Sequence, residues 1–302
     1  MKYYLIIVAP RDSYMIKPAL LTKITDYFKQ CDLNIMHINE LAENEAYAIL
    51  LDHLTEKNIF LRELSILYQD YKLDFFITSE ENYGVKKLLI ADMDSTIIAN
   101  ECIDEIARYV GKYDEIAQIT EAAMAGKINF ENSLLARVSS LKSVTKDQLE
   151  EIYKRKIKLN KGAKILGKTM AKYNCHTILA SGGFTFFTNK IRNLVSFKAD
   201  YANKLSFTGD QLDGNVDFPV FGSQSKLDLM LNIAAEKKLT TNDIIAVGDG
   251  ANDIAMLSAI ELGVAYKAKW AVREVISNQI NHTDLTSLLY LQGIAKKDFD
   301  LA

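Results

Sequence analysis

Four short apolar runs, each closed by a polar or glycine-bearing turn that leads into a helical pattern, limit what this chain can build. They are residues 88–92 (LLIAD), 176–183 (HTILASGG), 243–250 (DIIAVGDG) and 262–269 (LGVAYKAK). Strands buried on both faces read as continuous hydrophobic runs, and strands that alternate with helices run parallel. Ligands of an open parallel sheet bind beyond the carboxyl ends of its strands, which is where each run places its polar residues. The four turns are expected to meet at one site. Between the first and second runs lies a stretch of about 104–158, rich in Glu, Lys and Ala and too long for a loop, which reads as a helical cap over that site.

The first 83 residues follow a different rule. All 14 glycines fall at or after Gly84. Before that break the pattern is a strand (3–9), an amphipathic helix (18–30), two strands (33–41 and 46–51), a helix near 53–70 and a strand (73–78). That order is the ferredoxin-like plan. A chain of 302 residues is long for one core. The expected fold is therefore α/β: a Rossmann-like parallel-sheet core with an inserted helical cap (84–302), preceded by a ferredoxin-like α+β domain (1–83), with a short polar linker from residue 81. Tyr3, Ile7, Ile35 and Ile49 are expected to supply apolar area for a homodimer through the first domain.

Composition excludes several classes. With 49% hydrophobic residues, 25% charged residues and a net charge of -3, this is an ordinary globular chain without the basic footprint of a nucleic-acid binder. Cys31, Cys102 and Cys175 are odd in number and widely spaced, which suggests a reducing compartment rather than a disulfide framework or a zinc site. No apolar run is long enough to span a bilayer, and the N-terminus shows no cleavage signal. A soluble, unprocessed, cytoplasmic protein without membrane contact is expected.

The turns carry the chemistry. Asp92 and Asp94 end the first run two residues apart, so both side chains can reach one side of the sheet edge. Asp is common in turns, and one such pair says little. A second acidic turn, with Asp249 and Asp253 in GDGAND, changes the balance, because two such turns at strand ends make a site for a hard divalent ion. Magnesium favours a few carboxylates with water and phosphate oxygens, and no Cys or His cluster offers a softer metal a home. GDGAND also resembles a dinucleotide fingerprint. Asp253 stands where that pattern needs a small residue, and Asp249 would face the pyrophosphate. Ser181, Gly182 and Gly183 supply a hydroxyl and close backbone donors suited to phosphate oxygens, or simply a tight turn. Lys226 gains meaning only in combination with them.

In order along the chain, DMDST, SGG, a lysine opening a helix and GDGANDIAM resemble the four motifs of the haloacid dehalogenase-like phosphohydrolases. DMDSTIIANECIDEIA, FENSLLARV, SGGFTFFTNKIR, VGDGANDIAML, LGVAYKAK and DLTSLLYLQG are similar to the phosphoserine phosphatases within that superfamily. The first 80 residues resemble in pattern the ACT-like domain of some bacterial members. The resemblance implies a magnesium-dependent hydrolysis of O-phospho-L-serine, the last step of serine biosynthesis. Asp92 would be the nucleophile, forming an aspartyl-phosphate, and Asp94 the general acid and then base. Magnesium would be held by Asp92, the Asp94 carbonyl and Asp249, with Asp253 steadying Lys226 and the metal waters. Ser181, Gly182 and Lys226 would cradle the phosphoryl oxygens, and Asn252 would contact substrate. Glu101 would receive the amino group and Arg137 the carboxylate, with Met124 and Phe130 as apolar contacts. Two departures stand out: Lys269-Trp270 where relatives commonly carry Lys-Pro, and DFPVFGSQSK before the lysine. The first strand-to-helix loop lacks the glycine of ligand-binding ACT domains. The alternatives are a phosphatase or phosphotransferase for another small phosphate ester, and an inactive amino-acid sensor.

Overall fold

The computed structural model describes residues 1–11, 15–124 and 126–301, with the side chain of Met124 outside that set. The chain opens with β1 (Tyr3–Val8), α1 (Pro18–Gln30), β2 (Ile35–Ala42), β3 (Ala46–Leu51), α2 (Lys57–Leu67) and β4 (Asp74–Ser79). Pro18 sits at the first position of α1, where its missing N–H has no helical partner to lose. The four strands pair antiparallel in the order β2-β3-β1-β4. Period-two alternation divides them. Leu5, Ile7, Ile49, Phe75 and Ile77 pack against Ile24 and Phe28 of α1 and Phe60 and Leu64 of α2.

The opposite face of that sheet is not open. Ile6, Val8, Ala48 and Phe76 join one continuous core with Leu288, Leu289, Tyr290 and Phe299 from the end of the chain. This corrects the assignment of Tyr3, Ile7, Ile35 and Ile49 to a dimer face. Ile7 and Ile49 are fully buried on the helix side, and Tyr3 and Ile35 pack at its margin.

From residue 88 the chain forms β5 (Leu88–Ala91), α3 (Cys102–Tyr109), α4 (Tyr113–Met124), α5 (Phe130–Ser140), α6 (Lys146–Lys156), α7 (Ala163–Lys172), β6 (His176–Phe184), α8 (Thr185–Leu194) and β7 (Ala199–Asn203). A hairpin of β8 (Leu205–Thr208) and β9 (Gln211–Val216) follows, then α9 (Ser223–Glu236), β10 (Ile244–Gly248), α10 (Ile254–Ser258), β11 (Gly263–Tyr266), α11 (Trp270–Val275), β12 (Asn278–Ile280) and α12 (Ser287–Tyr290). The second sheet is parallel throughout, in the order β12-β11-β10-β5-β6-β7. Leu89, Ala91, Ile245 and Val247 face one layer of helices, and Leu88, Ile90, Ile244 and Ala246 the other. Sequence reading anticipated β5, β6, β10 and β11 but not β7, β12 or the hairpin. α3 to α6 form the inserted cap, with Asn129 capping α5 and a Thr145–Gln148 capping box opening α6. The hairpin completes the cap: Leu212 exchanges backbone hydrogen bonds with Ser143 and Val144 at 2.8 Å.

The two sheets meet along a polar seam. The Asn278 side chain accepts from the Ile77 N–H (2.9 Å) and donates to the Ile77 carbonyl (3.2 Å), bonding β4 as a neighbouring strand would. The Asp74 carboxylate takes the N–H groups of Asn281 (3.0 Å) and Thr283 (2.8 Å). Glu261 takes the Ser79 N–H (2.7 Å) and hydroxyl (2.9 Å). The expected polar linker is packed rather than loose: Asn82 and Lys86 are buried, and the Lys86 ammonium donates to the Asn82 side chain (2.7 Å) and the Asn242 carbonyl (2.8 Å).

Candidate active site

β5 lies between β10 and β6, so the chain leaves it in one direction and returns on the other side. That reversal opens a crevice at the carboxyl ends of the strands. Register places Ala91 beside Val247 and Leu179, which brings Asp92, Asp249 and Ser181 to one edge. The Asp92 N–H continues the ladder to the Val247 carbonyl at 2.9 Å. Beyond it the chain turns sharply, with Ser95 at φ 56°, a conformation a side chain rarely adopts. Asn160, where the chain leaves the cap, holds that turn by donating to the carbonyls of Thr96 (2.9 Å) and Ile98 (3.0 Å).

Asp92, Asp249 and Asp253 are all buried, with an oxygen of each within 4.8 Å of the others. The wholly buried Lys226 ammonium donates to Asp92 Oδ1 and Asp253 Oδ1, both at 2.7 Å. Asp253 Oδ2 takes the Gly250 N–H at 3.0 Å, so both its oxygens are committed to the protein. Gly248 is required here, because a Cβ would lie 2.4 Å from Asp253 Cγ. Asp249 Oδ1 receives the Thr96 hydroxyl at 3.3 Å, and its Oδ2 lies 3.9 Å from the Lys269 ammonium. Burial, then the charge of Asp253, pushes the Asp92 carboxyl well up, against the pull of Lys226. Asp249 is raised to about 6, chiefly by burial. Burial works against the Lys226 charge, but Asp253 and Asp92 outweigh it and hold its pKa above the ordinary value. One ammonium among three buried carboxylates leaves a negative excess beside free carboxylate oxygens, and a hard divalent cation fits that donor set. Asp92 and Asp249 have oxygens to offer; Asp253 does not.

Asp94 Oδ1 accepts the Cys102 N–H at 3.1 Å, at the start of α3. Burial, then the charge of Glu101, raises Asp94 to about 7, so it carries a proton at neutral pH more readily than an ordinary aspartate. The Ser181 hydroxyl oxygen accepts the Gly183 N–H at 2.9 Å. A Cβ on Gly183 would fall 2.5 Å from Asp94 Oδ2 and 3.1 Å from Ser181 Oγ, so all three residues share one small space. Asn252 folds back over Gly250, where a Cβ would meet its Oδ1 at 2.3 Å.

The cap faces this floor. The Phe130 ring lies over Gly182 and Gly222, 3.2 and 3.1 Å from where their Cβ atoms would be. Glu101 takes the Ser95 hydroxyl at 2.7 Å. Arg137 is half-buried and donates to the Ser133 carbonyl at 3.2 Å. Burial lowers its pKa against the charges of Asp104 and Glu101, its nearest carboxylate influences. Met124 lies outside the described side chains. Sequence reading gave no role to Thr96, Asn160 or Lys269, whose bonds and charge contact residue type alone does not announce.

A family profile described as haloacid dehalogenase-like hydrolase matches residues 89–258. A phosphoserine phosphatase of Polaromonas is 40% identical over 210 residues, covering 68% of this chain and 89% of that one. One of Archaeoglobus fulgidus is 34% identical over 203 residues, 67% of this chain but only 59% of the relative. Among solved structures, a haloacid dehalogenase family hydrolase of Salmonella enterica serovar Typhi covers 96% of this chain and 98% of its own, with TM-score 0.83 and 30% identity. A substrate-bound phosphoserine phosphatase covers 68% of this chain and 97% of its own, with TM-score 0.63 and 37% identity.

Proposed function

The chain belongs to the haloacid dehalogenase-like hydrolases, and from that membership we propose that it is a phosphoserine phosphatase, hydrolysing O-phospho-L-serine to serine and phosphate. The observation that carries the proposal is Lys226, wholly buried and bonded at 2.7 Å to both Asp92 and Asp253 beside Asp249. A structural role gives no reason to bury this charge cluster at the strand ends.

Asp92 is the nucleophile: its carboxylate oxygen bonds to phosphorus as the bond from phosphorus to the serine oxygen breaks. Asp94 delivers its proton to that oxygen, then as a carboxylate takes one from the water that attacks the aspartyl-phosphate. Ser181, the Gly182 backbone and Lys226 bind the phosphoryl oxygens, where transferring charge must be stabilised. Magnesium held by Asp92, Asp249 and the Asp94 carbonyl would offset the repulsion between the dianionic substrate and these carboxylates. Asp253 keeps Lys226 in place. Glu101, which precedes α3, and Arg137 of α5 would receive the ammonium and the carboxylate of one small substrate. Phe130, Met124 and Asn252 complete the substrate contacts. These roles, the division at residue 83 and the ACT-like character of the first domain belong to the proposal, as does a cytoplasmic location. Among the described residues no helix is long and apolar enough to cross a membrane. For a homodimer through the first domain this fold offers the outer edge of β2, where Met36 and Ile38 are exposed, and the outer face of α2, where Ile59, Ile66 and Leu67 are.

Asp92→Asn should abolish magnesium-dependent phosphate release while leaving the melting temperature near that of the parent. Asp94→Asn should lose phosphoserine turnover far more than turnover of an aryl phosphate, whose leaving group needs little protonation. Steady turnover by Asp92→Asn, or release favouring a sugar phosphate over phosphoserine, would overturn the reading.

A further inference from the structure

Asn203, the last residue of β7, is buried, and its side-chain hydrogen bonds all end on backbone atoms of the site. Its Nδ2 donates to the carbonyls of Gly182 (2.9 Å) and Phe221 (3.1 Å), and its Oδ1 accepts the Phe221 N–H (2.7 Å). These are all the bonds its two donor hydrogens can make, together with one at its acceptor. The C=O and N–H of a trans peptide point in opposite directions. Drawing the Gly182 carbonyl toward Asn203 therefore aims the Gly183 N–H away from it, and that N–H donates to Ser181 Oγ at 2.9 Å. An oxygen that accepts there keeps its own proton for another acceptor, and none among the described residues takes it. The other end of the clamp fixes Phe221. That residue precedes Gly222, which caps α9, and Lys226 is the fourth residue of that helix.

We propose that Asn203 is a positioning residue of the phosphate cradle. It orients the Gly182–Gly183 peptide so that Ser181 presents its hydroxyl proton to the phosphoryl group. This rests on the reading of Ser181 as a phosphate-binding group.

A double-mutant cycle on the full chain tests it. Ser181→Ala should lower kcat/KM for phosphoserine about 100-fold, as loss of one transition-state donor does. Asn203→Ala should cost a similar factor, mainly in kcat rather than KM, because the charge that the hydroxyl meets develops during transfer. Added to Ser181→Ala, however, Asn203→Ala should cost less than about 3-fold more, since the group it acts through is gone. Losses that multiply overturn the proposal. A Ser181→Ala enzyme with parental kcat/KM overturns instead the phosphate-binding reading beneath it. If Asn203→Ala does not fold, Asn203→Asp, which keeps the shape and the acceptor but loses both donations, takes its place in the cycle. In the unsubstituted protein the two Asn203 side-chain amide protons should exchange slowly with solvent and shift in the NMR spectrum when orthovanadate binds. Rapid exchange, or no response to orthovanadate, also overturns it.

Discussion

Three buried carboxylates facing one buried ammonium, with the exposed Lys269 no closer than 3.9 Å to Asp249, leave a negative excess that protons offset in the cation-free protein. Asp94, beside that cluster, is raised to about 7, and Asp249, within it, to about 6. An unfolded aspartate releases its proton near about pH 4. Above that value the folded chain binds protons at these sites that the unfolded chain has lost. Their contribution to stability is therefore full below about pH 4 and is lost as pH rises through 6 to 7. Magnesium should reverse the loss, because it replaces the protons. The rise in melting temperature on adding magnesium should grow between about pH 5 and about pH 8. An increment that stays flat over that range would count against a carboxylate-held cation. The acids and Lys226 were legible in the sequence because each follows an apolar run or opens a helix. Asn203 and Asn160 were not. An asparagine at a strand end looks like any turn residue until its bonds are seen.

The same contrast holds for elements. β5, β6, β10 and β11 are continuous apolar runs and could be read directly. β12 is only Asn278–Ile280, and its first residue bonds sideways into β4, so no periodicity marks it. The hairpin of β8 and β9 has strands of four and six residues, too short and mixed to stand out, yet it completes the cap. On α5, the guanidinium of Arg137 bonds the helix only through Nε to the Ser133 carbonyl. Its planar end makes no other hydrogen bond among the described residues and feels the charges of Asp104 and Glu101. Arg137→Ala should lower kcat/KM for phosphoserine about 10- to 100-fold, the scale of a lost charge-assisted bond, and change aryl phosphate hydrolysis little. Equal losses on both substrates would make Arg137 a support of the cap rather than a reader of the substrate.

For the whole molecule, sequence patterning suggests two separable parts, and by that reading a chain without residues 1–83 should be an active monomer. The shared core predicts otherwise. Removing the first sheet uncovers Leu288, Leu289 and Tyr290, now wholly buried. Side chains of this kind contribute about 1.5–3 kcal/mol each on burial, and a domain's net stability is only about 5–15 kcal/mol. The truncated protein should be insoluble or melt far below the parent. A soluble truncation with an unshifted melting curve would restore the separable reading. Patterning could not reveal the seam, because alternation in β1, β3 and β4 shows that both faces are apolar but not what covers the second. The cover is made late: Ile6, Val8, Ala48 and Phe76 leave the ribosome well before Leu288 to Phe299, the segment that shares their core. Until that segment emerges, the first sheet carries an apolar side without its native cover. Nascent chains stalled before residue 285 should therefore recruit a holding chaperone that full-length chains release, as co-purification from the ribosome would reveal.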